Sequence, residues 1–87
     1  MIDQRRPELE FPVDCHFKVI TEQIDGMAFV IETVLAGLGI ESPVTPGNRS
    51  AAGRYITYNL TVRVESREQM NRIDAELRNI AGVKMVL

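Results

Sequence analysis

Eighty-seven residues are enough for one hydrophobic core and too few for two, because a chain this short still leaves about a third of its unfolded surface in contact with water after folding. A hydrophobic content of 45%, a charged content of 25% and a net charge of -2 describe an ordinary globular chain that folds by itself and exclude a disordered tail. The same balance argues against nonspecific binding to nucleic acid or a membrane surface, which needs a strong basic excess or a dense basic stripe.

Residues 1–10 are polar, with Pro7 and no apolar periodicity, and read as a flexible N-terminal arm ahead of a single domain over residues 11–87. Arg5 and Arg6 match a twin-arginine export signal only superficially, since Pro7, Glu8 and Glu10 stand where that signal needs an apolar run. The longest apolar stretch, Met27 to Leu38, is interrupted by Glu32 and Thr33 and falls short of the roughly 20 residues that span a bilayer. A cytoplasmic location is the expectation. The triplets Asn48-Arg49-Ser50 and Asn59-Leu60-Thr61 match the glycosylation pattern but would never meet its enzyme there. Cys15, the single cysteine, allows no internal disulfide and fits a reducing compartment.

From Val13 the chain alternates. Cys15, Phe17 and Val19 point one way and His16, Lys18 and Ile20 the other, which predicts a first strand. Asp25 is placed to cap a helix, with Ile24 and Phe29 spaced for a hydrophobic staple across the cap. Met27, Val30, Ile31, Val34, Leu35 and Leu38 then recur at helical spacing, and Gly39 supplies a left-handed stop, so the first helix is expected from about Gly26 to Leu38. Pro43 and Pro46 confine any strand between Ile40 and Asn48 to a short piece at a sheet edge. Gly47 to Gly53 reads as a flexible turn.

The clearest strand is Tyr55 to Val64. Ile56, Tyr58, Leu60, Val62 and Val64 face the core, while Tyr55, Thr57, Asn59, Thr61 and Arg63 occupy the other face. Ser66 and Gln69 form a capping box for a second helix along which Met70, Ile73, Leu77 and Ile80 make one apolar side. Gly82 ends it, and Val83 to Leu87 closes the chain as a strand. Glu68, Asp74 and Glu76 solvate the second helix, and Met27, Met70 and Met85 are expected to fill core. The order β-α-β-β-α-β, with right-handed crossovers, gives an α+β fold, the ferredoxin-like plait. Its four-stranded antiparallel sheet has the first and third strands in the middle and both helices on one face.

The stretch Leu9-Glu10-Phe11-Pro12, followed by Phe17-Lys18-Val19-Ile20, Gly53-Arg54-Tyr55, the Ser66 to Leu77 helix and the terminal Val83-Lys84-Met85-Val86-Leu87, together resemble the YbeD-like family of small uncharacterised bacterial proteins. The resemblance covers residues 9–87 and implies a fold similar to the ACT regulatory domains. Thr21 stands where members of the family often carry Gly. Asp25-Gly26 and Leu38-Gly39-Ile40 resemble the ACT pattern of tight loop, helix and glycine exit. In ACT domains effectors bind near the first strand-helix loop, usually between paired domains. By that resemblance Thr21, Asp25 and Gly26 would carry an effector site, and a homodimer is possible.

The residues offer no catalytic constellation. Cys15 and His16 are adjacent on a strand, so they point to opposite faces and cannot form a thiolate-imidazole pair. One His and one Cys cannot close a metal site, and the carboxylates are scattered. No enzyme activity and no cofactor are expected. The Gly47 to Gly53 segment lacks the Gly-Lys-Ser/Thr ending of a phosphate loop and precedes a strand. An RNA-recognition motif would show aromatics on the open face where Thr57, Asn59 and Thr61 stand. That same face collects Lys18, Arg63 and Lys84 with His16, Thr57, Asn59 and Thr61 and, in this reading, no carboxylate. The three cations are expected to converge within a Debye length of about 8 Å on an anionic ligand or a partner protein. Two functions fit: an ACT-like sensor of a small molecule, or a protein-protein interaction module using the open sheet face.

Overall fold

In the computed structural model, which describes residues 10–50 and 52–87, the alternating and helical patterns become β1 (Val13–Glu22), α1 (Met27–Gly37), β2 (Thr45–Arg49), β3 (Tyr55–Val64), α2 (Arg67–Arg78) and β4 (Val83–Val86). The expected N-terminal arm lies outside the described residues except for Glu10. The strands form one antiparallel sheet in the order β2-β3-β1-β4, so the expected plait is the observed one. Its two long central strands pair over their whole length, from Val13 opposite Val64 to Glu22 opposite Tyr55.

Because side chains alternate along a strand, this register puts Phe17 and Val19 of β1 on the same side as Ile56, Tyr58, Leu60, Val62 and Val64 of β3. Ile31 and Leu35 of α1 and Ile73 and Leu77 of α2 pack into the same cluster, fully buried, so both helices cover that side. Among the described residues, no layer covers the opposite side of the sheet, and no helix is long and apolar enough to cross a membrane.

The helix ends show which local signals acted. Gly39 at φ +77 ends α1, with Ile40 N–H donating to the Leu35 carbonyl and Gly39 N–H to that of Ala36, both 2.9 Å. This is the double bond of a Schellman stop, which needs a left-handed residue. At the other end Gly26, at φ +80, is the cap, and no side chain bonds the first turn. Asp25 therefore does not cap α1. The expected staple is absent as well, since Phe29 is 73% exposed. Helix α2 keeps closely to its sequence signals: Ser66 Oγ accepts from Gln69 N–H at 3.1 Å. The Gln69 side chain reaches one residue further back than a capping box requires, accepting from Glu65 N–H at 2.6 Å.

Two strands depart from expectation. The ladder of β2 takes in Gly47, Asn48 and Arg49, which the composition assigned to a turn. A Cβ on Gly47 would lie 2.6 Å from Asn59 Nδ2 and 3.3 Å from the Thr57 carbonyl, so the glycine is what lets β2 close on β3. The turn shrinks to the stretch after it, where Ser50 Oγ accepts from Arg54 and Tyr55 N–H at 3.1 Å each. Where β4 pairs with β1, a bulge between Ile20 and Thr21 changes the register, so that Thr21 faces Val83 while Ile20 faces Met85. An extra residue in one strand moves all later residues of that strand to the other face. Val83 and Val86 consequently pack on the core, and Met85, expected to fill it, is 47% exposed on the open side.

Candidate functional site

The open face of the sheet is paved by alternate residues of β1 and β3. Asp14 lies opposite Arg63, His16 opposite Thr61, Lys18 opposite Asn59, Ile20 opposite Thr57 and Glu22 opposite Tyr55. Every polar residue expected on this face is there. Two carboxylates, Asp14 and Glu22, are there as well, which corrects the expectation of a face without acid. Arg63 Nη1 lies 3.5 Å from Asp14 Oδ1, and Lys84 Nζ lies 3.2 Å from Glu22 Oε2. Both pairs are about half exposed or more, so they add little to stability. Their effect is electrostatic: two of the three cations are already matched.

The cations do not converge. Arg63 lies four residues beyond Asn59, the partner of Lys18, which is about 13 Å at roughly 3.3 Å per residue. Lys84 turns to Glu22, four residues from Lys18 in the opposite direction. Spacings of this size exceed the Debye length of about 8 Å at physiological salt, so the fields do not add. Among the described residues, Lys18 is left as the one cation of the face without a carboxylate beside it.

Lys18 has apolar neighbours on one side and amides on the other. Leu87 is its neighbour on β4: Lys18 N–H donates to the Leu87 carbonyl at 3.0 Å and Leu87 N–H to that of Lys18 at 2.8 Å. Residues opposite one another share a face, so Leu87, 64% exposed, lies beside the lysine. With Ile20 and Met85 it forms an apolar strip on a face whose β3 half is Thr57, Asn59 and Thr61. Lys18, Ile20, Thr57, Asn59 and Leu87 line a shallow trough of about 380 Å³ that Gly47 and Asn48 close on the β2 side. The strip escaped the sequence reading because the bulge at Ile20 and Thr21 that exposes Met85 leaves no mark in the alternation of β4 alone.

His16 completes the polar end. Its Nδ1 lies 2.6 Å from Thr61 Oγ1. Cys15, one residue earlier, is turned to the other side, where its Sγ lies 3.8 Å from Met70 Sδ in a partly buried contact. The opposed placement of thiol and imidazole is thus as the alternation requires. Among the described residues no three His, Cys, Asp or Glu side chains cluster closely enough to hold a metal ion.

The effector loop expected from the ACT resemblance is arranged differently. Thr21 is fully buried, on the core side of β1, with its hydroxyl donating to the Glu22 carbonyl at 2.7 Å. It continues the strand where a glycine would allow a break, and it cannot touch a ligand. Asp25 and Gly26 are exposed, while Ile24 between them and the strand lies over Gly82 and close to Met27. Thr21, Asp25 and Gly26 therefore do not come together as one surface.

Comparison with known proteins agrees with this architecture. Residues 6–87 match the family model described as "Protein of unknown function (DUF493)". A UPF0250 protein of Shewanella piezotolerans is 32% identical over 88 residues, covering 100% of both chains. A UPF0250 protein of Pseudomonas putida is 32% identical over 98% of this chain and 96% of its own. Among solved structures, protein HP0495 from H. pylori superposes with a TM-score of 0.84 at 18% identity, over 98% of this chain and 91% of that one. The ACT domain from GTP pyrophosphokinase of Chlorobium tepidum gives a TM-score of 0.68 at 19% identity, over 85% of this chain and 94% of that domain. At such identities the structural likeness is one of fold, and the fold is ACT-like and ferredoxin-like. The sequence matches carry the kinship, and by them the chain belongs to the DUF493 family, the UPF0250 proteins, whose residue pattern is the YbeD-like one.

Proposed function

We propose that this chain is a non-catalytic cytoplasmic binding domain of ACT-like architecture that recognises a partner polypeptide on its open sheet face. The observation that carries the reading is the strip of Ile20, Met85 and Leu87 set beside Lys18, which no carboxylate among the described residues pairs. Apolar side chains left uncovered next to a single cation suit a ligand that offers an apolar anchor and a carboxylate together. A segment of polypeptide supplies both. The shallowness of the trough favours a polypeptide over a small metabolite, because small-molecule sites enclose most of their ligand. The likeness to an ACT domain favours a sensor instead, but Thr21, in the segment where such an effector would sit, is fully buried and offers it no contact.

A photo-crosslinking amino acid placed at Met85 in living cells tests the proposal, with one at Arg67 on the helix side as control. The Met85 position should give a discrete protein adduct that the Arg67 position does not. Lys18→Glu should reduce that adduct several-fold with the circular dichroism spectrum unchanged, since an exposed charge governs encounter more than folding. Equal adducts from both positions refute the open face as the recognition surface. A metabolite that raises the melting temperature and moves the amide resonances of Asp25 and Gly26 would establish the sensor in its place.

A further inference from the structure

Helices α1 and α2 lie side by side on the same face of the sheet, and both turn an outer surface to water, yet their outer surfaces differ in kind. Helix α2 exposes Arg67, Glu68, Asn71 and Arg72, as a solvated helix does. Helix α1 exposes Phe29, Val30, Thr33, Ala36 and Gly37, and its single charged residue, Glu32, is turned aside to accept from Val44 N–H at 3.2 Å. The Thr33 hydroxyl donates to the Phe29 carbonyl at 2.8 Å and so asks nothing of solvent. Phe29 stands 73% exposed at the N-terminal end of this surface.

We infer that the outer face of α1 is the contact through which two copies of this chain pair. A two-fold contact puts the same patch on both partners, so the patch must complement itself. This one does: its bulk lies at the beginning of the helix and its small residues at the end. When two α1 helices cross antiparallel about Thr33, Phe29 of one copy meets Ala36 and Gly37 of the other, since Phe29 and Ala36 are about 10 Å apart along the axis at 1.5 Å per residue.

Space for the ring is present. A Cβ built on Gly37 would meet nothing within 4 Å. Beside it lies a hollow of about 260 Å³ lined by Gly37, Leu38, Gln69, Arg72 and Ile73. A cavity of about 150 Å³ already admits benzene, so the hollow accepts a phenyl ring, and Arg72 at its rim suits the ring face. A charged partner would find only Glu32 to match on α1, whereas a second copy supplies both the knob and the socket. Each copy offers one exposed aromatic side chain, Phe29, to such a contact, so the dimer is weak, at roughly tens to hundreds of micromolar.

Sedimentation velocity of the full chain from low micromolar to several hundred micromolar reads this directly. The mass should rise from 9.8 kDa towards twice that value. Phe29→Glu should raise the dissociation constant at least tenfold while leaving the melting temperature of dilute protein unchanged, because the exposed ring holds nothing in its own copy. In a Cys15→Ala background, Thr33→Cys near the axis should form a covalent dimer on mild oxidation, and Met85→Cys on the open face should not. A mass of 9.8 kDa at every concentration overturns the inference. So does a dimer that survives Phe29→Glu, or one that cross-links through Met85→Cys in preference to Thr33→Cys.

Discussion

Replacing Gly82 by Ala probes how the turn into β4 is held. Gly82 has φ +93, and a Cβ there would lie 2.6 Å from Ile24 Cδ1 and 3.1 Å from Met27 Cε. Holding a non-glycine residue in the left-handed region costs about 1–2 kcal/mol. Displacing the Ile24 tip from its rotamer adds roughly 0.5–1.5 kcal/mol, because the atom met is the far end of a flexible side chain. The restricted unfolded chain offsets about 0.4–1 kcal/mol of that. A net loss of about 0.5–3 kcal/mol results, which at about 4–8 °C per kcal/mol lowers the melting temperature by roughly 2–25 °C. Thermal unfolding monitored by circular dichroism measures it. In an Ile24→Ala background the side chain being displaced is gone, so Gly82→Ala should cost less by about the rotamer contribution and keep the backbone contribution. A Gly82→Ala variant at least as stable as wild type refutes the packing of the β1–α1 loop on this turn. Equal costs in both backgrounds refute the Ile24 contact alone.

The core assignment makes Leu60→Asp and Ile73→Asp each abolish cooperative unfolding. An unpaired carboxylate at a buried site costs several kcal/mol against a total of roughly 5–13 kcal/mol for a chain of this length. A normal thermal transition in either variant would show the site is not core. The two helix starts should respond differently to loss of their polar residue: Ser66→Ala should cost about 1 kcal/mol, while Asp25→Ala should stay within about 0.5 kcal/mol of wild type. Chemical denaturation of both variants decides between the two, and an Asp25→Ala cost as large as that of Ser66→Ala would restore Asp25 as the cap of α1.

The fold was legible in the sequence because its determinants are local and periodic. Alternation over Val13 to Ile20 and over Tyr55 to Val64, the apolar stripe of Ile73 and Leu77, the serine cap at Ser66 and the left-handed glycines at 39 and 82 each act within a few residues of themselves. Their order then admits few topologies, and the observed plait is the one that right-handed crossovers select. The lack of a thiolate-imidazole pair is a consequence of the same alternation at Cys15 and His16.

The character of the surface was decided elsewhere, by pairing between strands distant in the chain. Only the register of β1 with β3 and β4 brings Asp14 to Arg63 and Glu22 to Lys84, so that among the described residues Lys18 stands without a carboxylate between two neutralised ends. Only the bulge opposite Ile20 and Thr21, where Lys84 is the extra residue of β4, turns Met85 out beside Leu87, because one extra residue in a strand of period two exchanges the faces of everything after it. And Phe29, spaced in the sequence as half of a staple, stands free because the glycine at position 26, in place of Asp25, starts the helix, one residue later than the staple requires.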